Sequence, residues 1–124
     1  MKKILVIDDS ELTLHLVNKS LTKAGFQVFT TDNLVEFDRL LKEQKPDLII
    51  TDIKMPDISG DNICEVLKRD YETGEIPIVF FSSLNDDELR VLAEKSGADG
   101  FISKEHGLEE LENMIRQVVE GILW

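Results

Sequence analysis

The chain has 124 residues, of which 42% are hydrophobic and 31% charged, and its formal net charge is −11. This length and balance predict one folded domain spanning residues 1–124 and exclude a disordered or low-complexity chain. An acidic surface repels nucleic acid and anionic membranes, so neither is expected as a direct partner.

Cysteine usage and the first residues exclude further classes of protein. Cys64 is the single cysteine, which excludes an internal disulfide and a cysteine-based zinc site. Its place among helical apolar positions predicts a buried, inert thiol. The first apolar run, 4–7, is too short for a signal peptide or for a membrane span, which needs about 20 residues. A cytoplasmic protein is therefore expected.

The first part of the chain predicts two strand–helix units. An unbroken apolar run at 4–7 is typical of a strand buried on both faces, and a helix is predicted over 10–24. A weaker strand at 27–30 leads to a helix that begins at Asn33, with Glu36 placed as in a capping box. The positions expected on the apolar helix faces are Leu12, Leu16, Val17 and Leu21, then Leu34, Phe37, Leu40 and Leu41.

The rest of the chain predicts three more units of the same kind. Strands are predicted at 48–50, 78–81 and 100–102, and helices at about 60–71, 85–97 and 108–121. The inward positions are Ile63, Val66 and Leu67 in the third helix and Leu111, Ile115, Val118 and Val119 in the fifth. Helices of this length can connect consecutive parallel strands by right-handed crossovers. The fold class is therefore α/β, a doubly wound five-stranded parallel sheet with five helices.

Polar residues follow four strands at the point where each strand ends. They are Asp8 and Asp9, then Asp52, then Ser82 and Ser83, and finally Lys104. Ligands bind at the carboxyl ends of the strands in such sheets. Carboxylates that lie close together repel one another, so they either share protons or bind a cation. Because all the ligand atoms would be oxygens, the expected cation is Mg²⁺. An ionised aspartate can accept a phosphoryl group, which a lysine and a hydroxyl would contact.

Each of these residues also has a simpler interpretation. An aspartate pair can cap a helix, a single aspartate can belong to a turn, and a lysine can be solvated surface. Their joint placement at four strand ends favours a shared chemistry.

These motifs resemble the receiver domain of two-component response regulators, and the length is similar to that of the single-domain chemotaxis type. The motifs are Asp8–Asp9, Asp52, Met55–Pro56 with Gly60 beyond, Ser82 and Lys104. The resemblance implies a flavodoxin-like fold with strand order 2-1-3-4-5. It also implies a phosphorylation-activated switch that receives its phosphoryl group from a sensor histidine kinase or phosphotransfer protein and catalyses only its own phosphorylation and dephosphorylation.

The resemblance implies a role for each matching residue. Asp52 would be the phosphoacceptor and a ligand of Mg²⁺, which Asp9 would bind directly and Asp8 mainly through water. The backbone carbonyl of Lys54 would be a further ligand. Lys104 would pair with the phosphoryl group, and Ser82 would move toward it and form a hydrogen bond. Phe101 occupies the family's aromatic switch position. An aromatic residue on a strand can equally be plain core, so both interpretations of Phe101 stay open.

Three features, involving four residues, depart from the family pattern or stand out beside it. Glu105 stands where the family usually has a proline that follows a cis peptide bond. A cis bond before a residue other than proline costs about 3 kcal/mol, so a trans bond is expected here. Whether Lys104 then keeps its usual position is left open. Lys54 and Leu84 occupy positions that tune access of water to the acyl phosphate, which predicts slow self-dephosphorylation. His106 is expected to be a solvated loop residue rather than a metal ligand.

The resemblance also implies an output face, and the residues leave alternatives open. The family's output face, formed by the fourth helix, fifth strand and fifth helix, would bind a downstream protein, an output domain outside this sequence or a second copy of the chain. A binding module that does not signal by phosphorylation and a phosphohydrolase using Asp52 are the alternatives. The apolar tail 121–124 could end the fifth helix, begin a linker or form a dimer contact.

Overall fold

In the computed structural model, which describes residues 2–121, five parallel strands form one sheet in the order β2-β1-β3-β4-β5. The strands are Lys3–Ile7 (β1), Gln27–Thr31 (β2), Leu48–Thr51 (β3), Ile78–Ser82 (β4) and Gly100–Ser103 (β5). The helices are Glu11–Lys23 (α1), Leu34–Gln44 (α2), Gly60–Arg69 (α3), Asp86–Ser96 (α4) and Gly107–Glu120 (α5), with a 3₁₀ turn at Lys104–His106. The predicted α/β fold and its strand order are confirmed.

The sheet has a hydrophobic core on each face, because successive side chains of a strand point to opposite sides. In β1, Leu5 and Ile7 pack with residues of α2, α3 and α4. Ile4 and Val6 pack on the other face with residues of α1 and α5. This arrangement explains why the strands read as continuous apolar runs.

Two helices present a different face to the core than the sequence predicted. In α1, Leu12 and Leu16 are 68% and 39% exposed, since the helix packs through Val17 and Leu21. The prediction for these two leucines was wrong because a helix turns about 100° per residue and they lie outside the buried stripe.

The third helix needs the same kind of correction. Val66 is 54% exposed, whereas Ile63, Cys64 and Leu67 are buried at the spacing of one helical face. The helix ends at Arg69, not near residue 71. The prediction of a buried Cys64 is confirmed.

Asparagine side chains cap two helices at their N-termini. Asn33 accepts a hydrogen bond from the amide of Glu36 at 2.9 Å, and Asn85 accepts one from the amide of Glu88 at 2.8 Å. The carboxylate of Glu36 pairs with Arg39 at 2.8 Å. Of the capping box predicted at Asn33, only the hydrogen bond to the asparagine side chain is present. The Glu36 carboxylate pairs with Arg39 and stabilises the next turn of the helix instead.

Within the described residues, no helix has both the length and the apolar character needed to cross a membrane. The alternatives for the tail concern residues 122–124, which lie outside the described residues.

Candidate functional site

The three aspartates of the sequence pattern meet at one edge of the sheet. Ile7 and Thr51 are paired in register on adjacent strands, so Asp8 and Asp52 leave the sheet side by side. The amide of Asp52 donates a hydrogen bond to the carbonyl of Ile7 at 3.1 Å. One carboxylate oxygen from each of Asp8, Asp9 and Asp52 lies within 4.8 Å of the other two.

Asp8 is a buried carboxylate with two partners. Its side chain accepts a hydrogen bond from the amide of Ser10 at 2.9 Å and forms an ion pair with Lys104 at 2.9 Å. Burial raises the pKa of Asp8, while the Ser10 amide and Lys104 act in the opposite direction without cancelling the effect. A cation beside this carboxylate would therefore stabilise its ionised form.

Asp52 presents one carboxylate oxygen to its own backbone and the other to a lysine. Oδ1 accepts a hydrogen bond from the amide of Ile53 at 2.7 Å. Oδ2 lies 3.4 Å from the ammonium nitrogen of Lys104. Asp52 is only 7% exposed. The hydrogen bond from the Ile53 amide fixes the plane of its carboxylate, so that Oδ2 is the oxygen that faces Lys104.

Lys104 joins Asp8 and Asp52, although Glu105 follows it. All peptide bonds within residues 2–121 are trans, and the lysine side chain still reaches both carboxylates. Three carboxylates with one ammonium leave an excess of negative charge. An all-oxygen donor set of this charge fits a hard divalent ion such as Mg²⁺. Of the other implied ligands, Asp9 is exposed, and so is Lys54, which lies in the loop after β3.

Two hydrogen bonds hold the backbone at Asp52 and at the following residue, Ile53. The hydroxyl of Thr51 donates to the carbonyl of Asp52 at 2.8 Å. The amide of Gly60 donates to the carbonyl of Ile53 at 2.9 Å. A Cβ added at Gly60 would lie 1.8 Å from the carbonyl oxygen of Asp52, so α3 can start here only with glycine. Sequence reasoning missed Thr51, whose position directly before the aspartate was the available signal.

The remaining predicted residues lie along β4 and β5. The hydroxyl of Ser82 is buried and accepts a hydrogen bond from the amide of Leu84 at 3.3 Å. Leu84 and Phe101 are partly buried against the core on the α2–α3–α4 face. The structure thus places Phe101 on the face beside α4 and gives Ser82 a partner other than the aspartates.

His106 pairs with α4. Its Nε2 lies 3.0 Å from a carboxylate oxygen of Asp86, the first residue of the helix. The pair borders an open groove of about 570 Å³ between α4, β5 and α5. Phe101 and Met114 are among the residues that line it. His106 was predicted to be a solvated loop residue rather than a metal ligand, and it is exposed. Its contact with Asp86 was not predicted, because residues 20 positions apart give no local sequence signal.

Comparison with known proteins gives a consistent result for family and fold. The response regulator receiver domain family matches residues 4–116. Protein PilH of Pseudomonas aeruginosa is 30% identical over 98% of this chain and 100% of its own length. The transcriptional regulatory protein AfsQ1 of Streptomyces coelicolor is 34% identical over 96% of this chain and 52% of its own.

A solved structure is similar over the same extent. The chemotaxis response regulator CheY4 of Vibrio cholerae has a TM-score of 0.85 and 25% identity, covering 95% of this chain and 98% of that chain. The chain spans about half the length of the first curated transcriptional regulators it matches.

Proposed function

The chain belongs to the response regulator receiver domain family of two-component signal transduction, and from this premise we propose that Asp52 accepts a phosphoryl group and that the domain changes its protein-binding surface in response. The family is a regulatory one whose function is a phosphorylation-activated switch. The observation that supports the assignment of Asp52 is its carboxylate, which shares Lys104 with Asp8 inside a cluster of three aspartates.

The transfer uses Asp52 as the nucleophile. A carboxylate oxygen attacks phosphorus, the new P–O bond forms, and the bond from phosphorus to a histidine nitrogen of the donor breaks with its electron pair leaving on that nitrogen. The amide of Ile53 holds Oδ1, so Oδ2 is the attacking oxygen. No general base is needed because the ionised carboxylate already has the lone pair.

Charge neutralisation comes from both the protein and a metal. The donor set of Asp8, Asp9, Asp52 and the carbonyl of Lys54 would hold Mg²⁺, which supplies electrostatic stabilisation of the phosphoryl oxygens when bound. Lys104 gives up its contact with Asp52 and pairs with a phosphoryl oxygen instead. The domain thereby catalyses only its own phosphorylation and dephosphorylation.

The switch links the phosphoryl group to the face of α4, β5 and α5. Ser82 would turn toward the phosphoryl group and donate its hydroxyl, which removes it from the amide of Leu84. Phe101 would then move inward from the groove beside α4. The phosphoryl group shifts the population because it binds the second arrangement better than the first.

The proposed partners follow from this chemistry. A sensor histidine kinase or phosphotransfer protein donates the phosphoryl group in the cytoplasm. The face of α4, β5 and α5 binds a downstream protein, an output domain or a second copy of the chain as a homodimer. Phosphorylation would alter this face through Phe101.

The test is intact mass after incubation with Mg²⁺ and a small acyl-phosphate donor. We expect a gain of one phosphoryl group that requires Mg²⁺ and is absent from Asp52→Asn. The matched control Asp57→Asn removes a nearby exposed carboxylate and should leave the gain intact. A wild-type chain that stays unmodified, while a known receiver in the same tube reacts, would contradict the proposal. Multiple turnover of a phosphoester would favour a phosphohydrolase.

A further inference from the structure

Ser103, the last residue of β5, has a buried hydroxyl without a partner. The residue is 1% exposed, and within residues 2–121 its Oγ is the single buried side-chain nitrogen or oxygen that makes no hydrogen bond. Burying a hydroxyl unpaired costs free energy, because the hydrogen bonds it makes to water are lost and not replaced. A second arrangement in which this hydroxyl finds a partner would recover that cost.

A candidate partner is Ser82. Ser82 and Ser103 are paired in register as the last residues of adjacent parallel strands. Two positions earlier, Phe80 and Phe101 are also paired, and both belong to the core on the α2–α3–α4 face. Because side chains alternate along a strand, the two serines lie on that same face.

The distance between the strands allows a hydrogen bond after a small rotation. Neighbouring strands are about 4.8 Å apart, so a change of one staggered side-chain rotamer can bring two serine hydroxyls into contact. In the present arrangement the Oγ of Ser82 is occupied by the amide of Leu84, at the long distance of 3.3 Å. The two hydroxyls are therefore neighbours that do not pair.

We propose that Ser103 is a positioning residue for the phosphoryl-bound state, in which its hydroxyl donates to the Oγ of Ser82 while Ser82 donates to a phosphoryl oxygen on Asp52. This inference rests on the proposed function. When Ser82 turns from the amide of Leu84 it loses a donor, and Ser103 replaces that donor. The relay orients Ser82 and strengthens its donated bond, since linked hydrogen bonds polarise one another.

The relay makes the two states depend on Ser103 in opposite ways. Without a phosphoryl group, the buried Ser103 hydroxyl has no hydrogen-bond partner and destabilises the domain. With a phosphoryl group on Asp52, the same hydroxyl donates to Ser82 and stabilises it. A serine needed only to fill space would affect both states alike. Ser103 thus favours the phosphorylated state by destabilising the other.

The experiment uses Mg²⁺ with beryllofluoride, a non-covalent mimic of the phosphoryl group, and the variants Ser103→Ala, Ser82→Ala and the double variant. Ser20→Ala, at a partly exposed position of α1, is the matched control. Binding is followed by amide chemical shifts, and stability without ligand by urea unfolding. We expect Ser103→Ala to bind beryllofluoride about fivefold more weakly, the effect of one net hydrogen bond. Its urea midpoint without ligand should equal or exceed that of the wild type.

The double variant identifies the route of the effect. In the Ser82→Ala background, Ser103→Ala should weaken binding no further, because Ser103 acts through Ser82. An equal loss in both backgrounds, or a lowered urea midpoint without ligand, would overturn the inference. If the wild type binds no beryllofluoride and gains no phosphoryl mass, the proposed function itself fails. Normal wild-type binding with no effect of Ser103→Ala rejects the relay alone.

Discussion

Gly60 determines how closely the loop after β3 can lie against the proposed phosphoacceptor. Its amide bonds to the carbonyl of Ile53, and its Cα faces the carbonyl oxygen of Asp52. Any side chain therefore displaces the loop that follows Asp52.

We predict that Gly60→Ala destabilises the fold by about 1–3 kcal/mol, the usual cost of forcing an extra methyl into packed structure. Displacement of the loop should also slow phosphorylation of Asp52. Urea unfolding measures the first effect and the rate of mass gain the second. Asn62→Ala, at an exposed position of the same helix, should change stability little. A fully stable Gly60→Ala variant would show that the loop can move without cost.

Leu84 supports the hypothesis of slow self-dephosphorylation. Its side chain is partly buried against the core, two residues beyond Ser82, and its amide is bonded to the Ser82 hydroxyl. An apolar group at this position can exclude water from the acyl phosphate. We predict that Leu84→Ala hydrolyses phospho-Asp52 about tenfold faster, equivalent to about 1.4 kcal/mol in the barrier.

Decay of the phosphorylated mass after removal of the donor measures this rate. Val91→Ala, which shortens an exposed apolar residue, is the control. Unchanged decay in Leu84→Ala would assign water exclusion to another residue.

At the residue scale, the sequence predicted which side chains converge but not how each is buried. Asp8 and Asp9 are adjacent and chemically identical, yet Asp8 is buried and Asp9 is exposed. The difference depends on how the backbone leaves β1, which no residue type encodes. The shared contact of Lys104 with Asp8 and Asp52 likewise depends on three separate strand ends.

At the scale of elements, the 3₁₀ turn after β5 is tied to α4 by one side-chain pair. The ring of His106 contacts the carboxylate of Asp86 at the start of α4. The hydrogen bond and charge of Asp86 raise the pKa of His106 above its ordinary value of 6.5, and Glu105 and Glu110 add to this effect. The protonated ring therefore joins the segment that follows Lys104 to the helix that borders the groove.

This pair predicts a pH dependence of stability. Because the folded-state pKa of His106 is raised, its stabilising contribution is complete below the unfolded value of 6.5 and disappears as pH rises through the higher folded pKa. Urea unfolding of the wild type against His106→Gln across this range isolates the effect. The effect should be small, because both side chains are about half exposed and solvent screens their interaction. Asp86→Asn should remove the same pH-dependent contribution to the free energy of unfolding. If the pH dependence of stability is unchanged in Asp86→Asn, the raised pKa of His106 has another cause.

The order of elements was predictable because each strand and helix has its own periodicity. Even the two weaker strands at the edges, β2 and β5, were predicted, and their partly buried patterns explain the weak signal. The 3₁₀ turn at Lys104–His106 was not, since three residues have no measurable period. The predicted inward faces were wrong at Leu12 and Leu16 of α1 and at Val66 of α3, because these apolar residues lie outside the buried stripe of their helix.

At the scale of the whole molecule, the sheet brings like charges to one edge of an already acidic protein. The net charge is −11, and Asp8, Asp9 and Asp52 approach within 4.8 Å with Lys104 as the cation that pairs with two of them. Such crowding opposes folding, whereas a divalent cation that binds only the folded state stabilises it by mass action. A divalent cation at the proposed site would therefore couple metal binding to the stability of the fold.

This coupling predicts opposite effects of one substitution with and without Mg²⁺. In the presence of a chelator, Asp9→Asn should unfold at a higher temperature than the wild type. The substitution relieves repulsion within the cluster, and among the described residues the Asp9 side chain makes no hydrogen bond that would be lost. With Mg²⁺ at about 100 times its dissociation constant, the wild type should gain about 2.7 kcal/mol, and Asp9→Asn much less. Asp38→Asn, which removes the same charge from the exposed surface of α2, should gain as the wild type does. Thermal unfolding followed by circular dichroism measures all three proteins. An equal gain in Asp9→Asn would place the cation elsewhere, and a wild type that gains nothing at any Mg²⁺ concentration would mean that the cluster does not bind Mg²⁺.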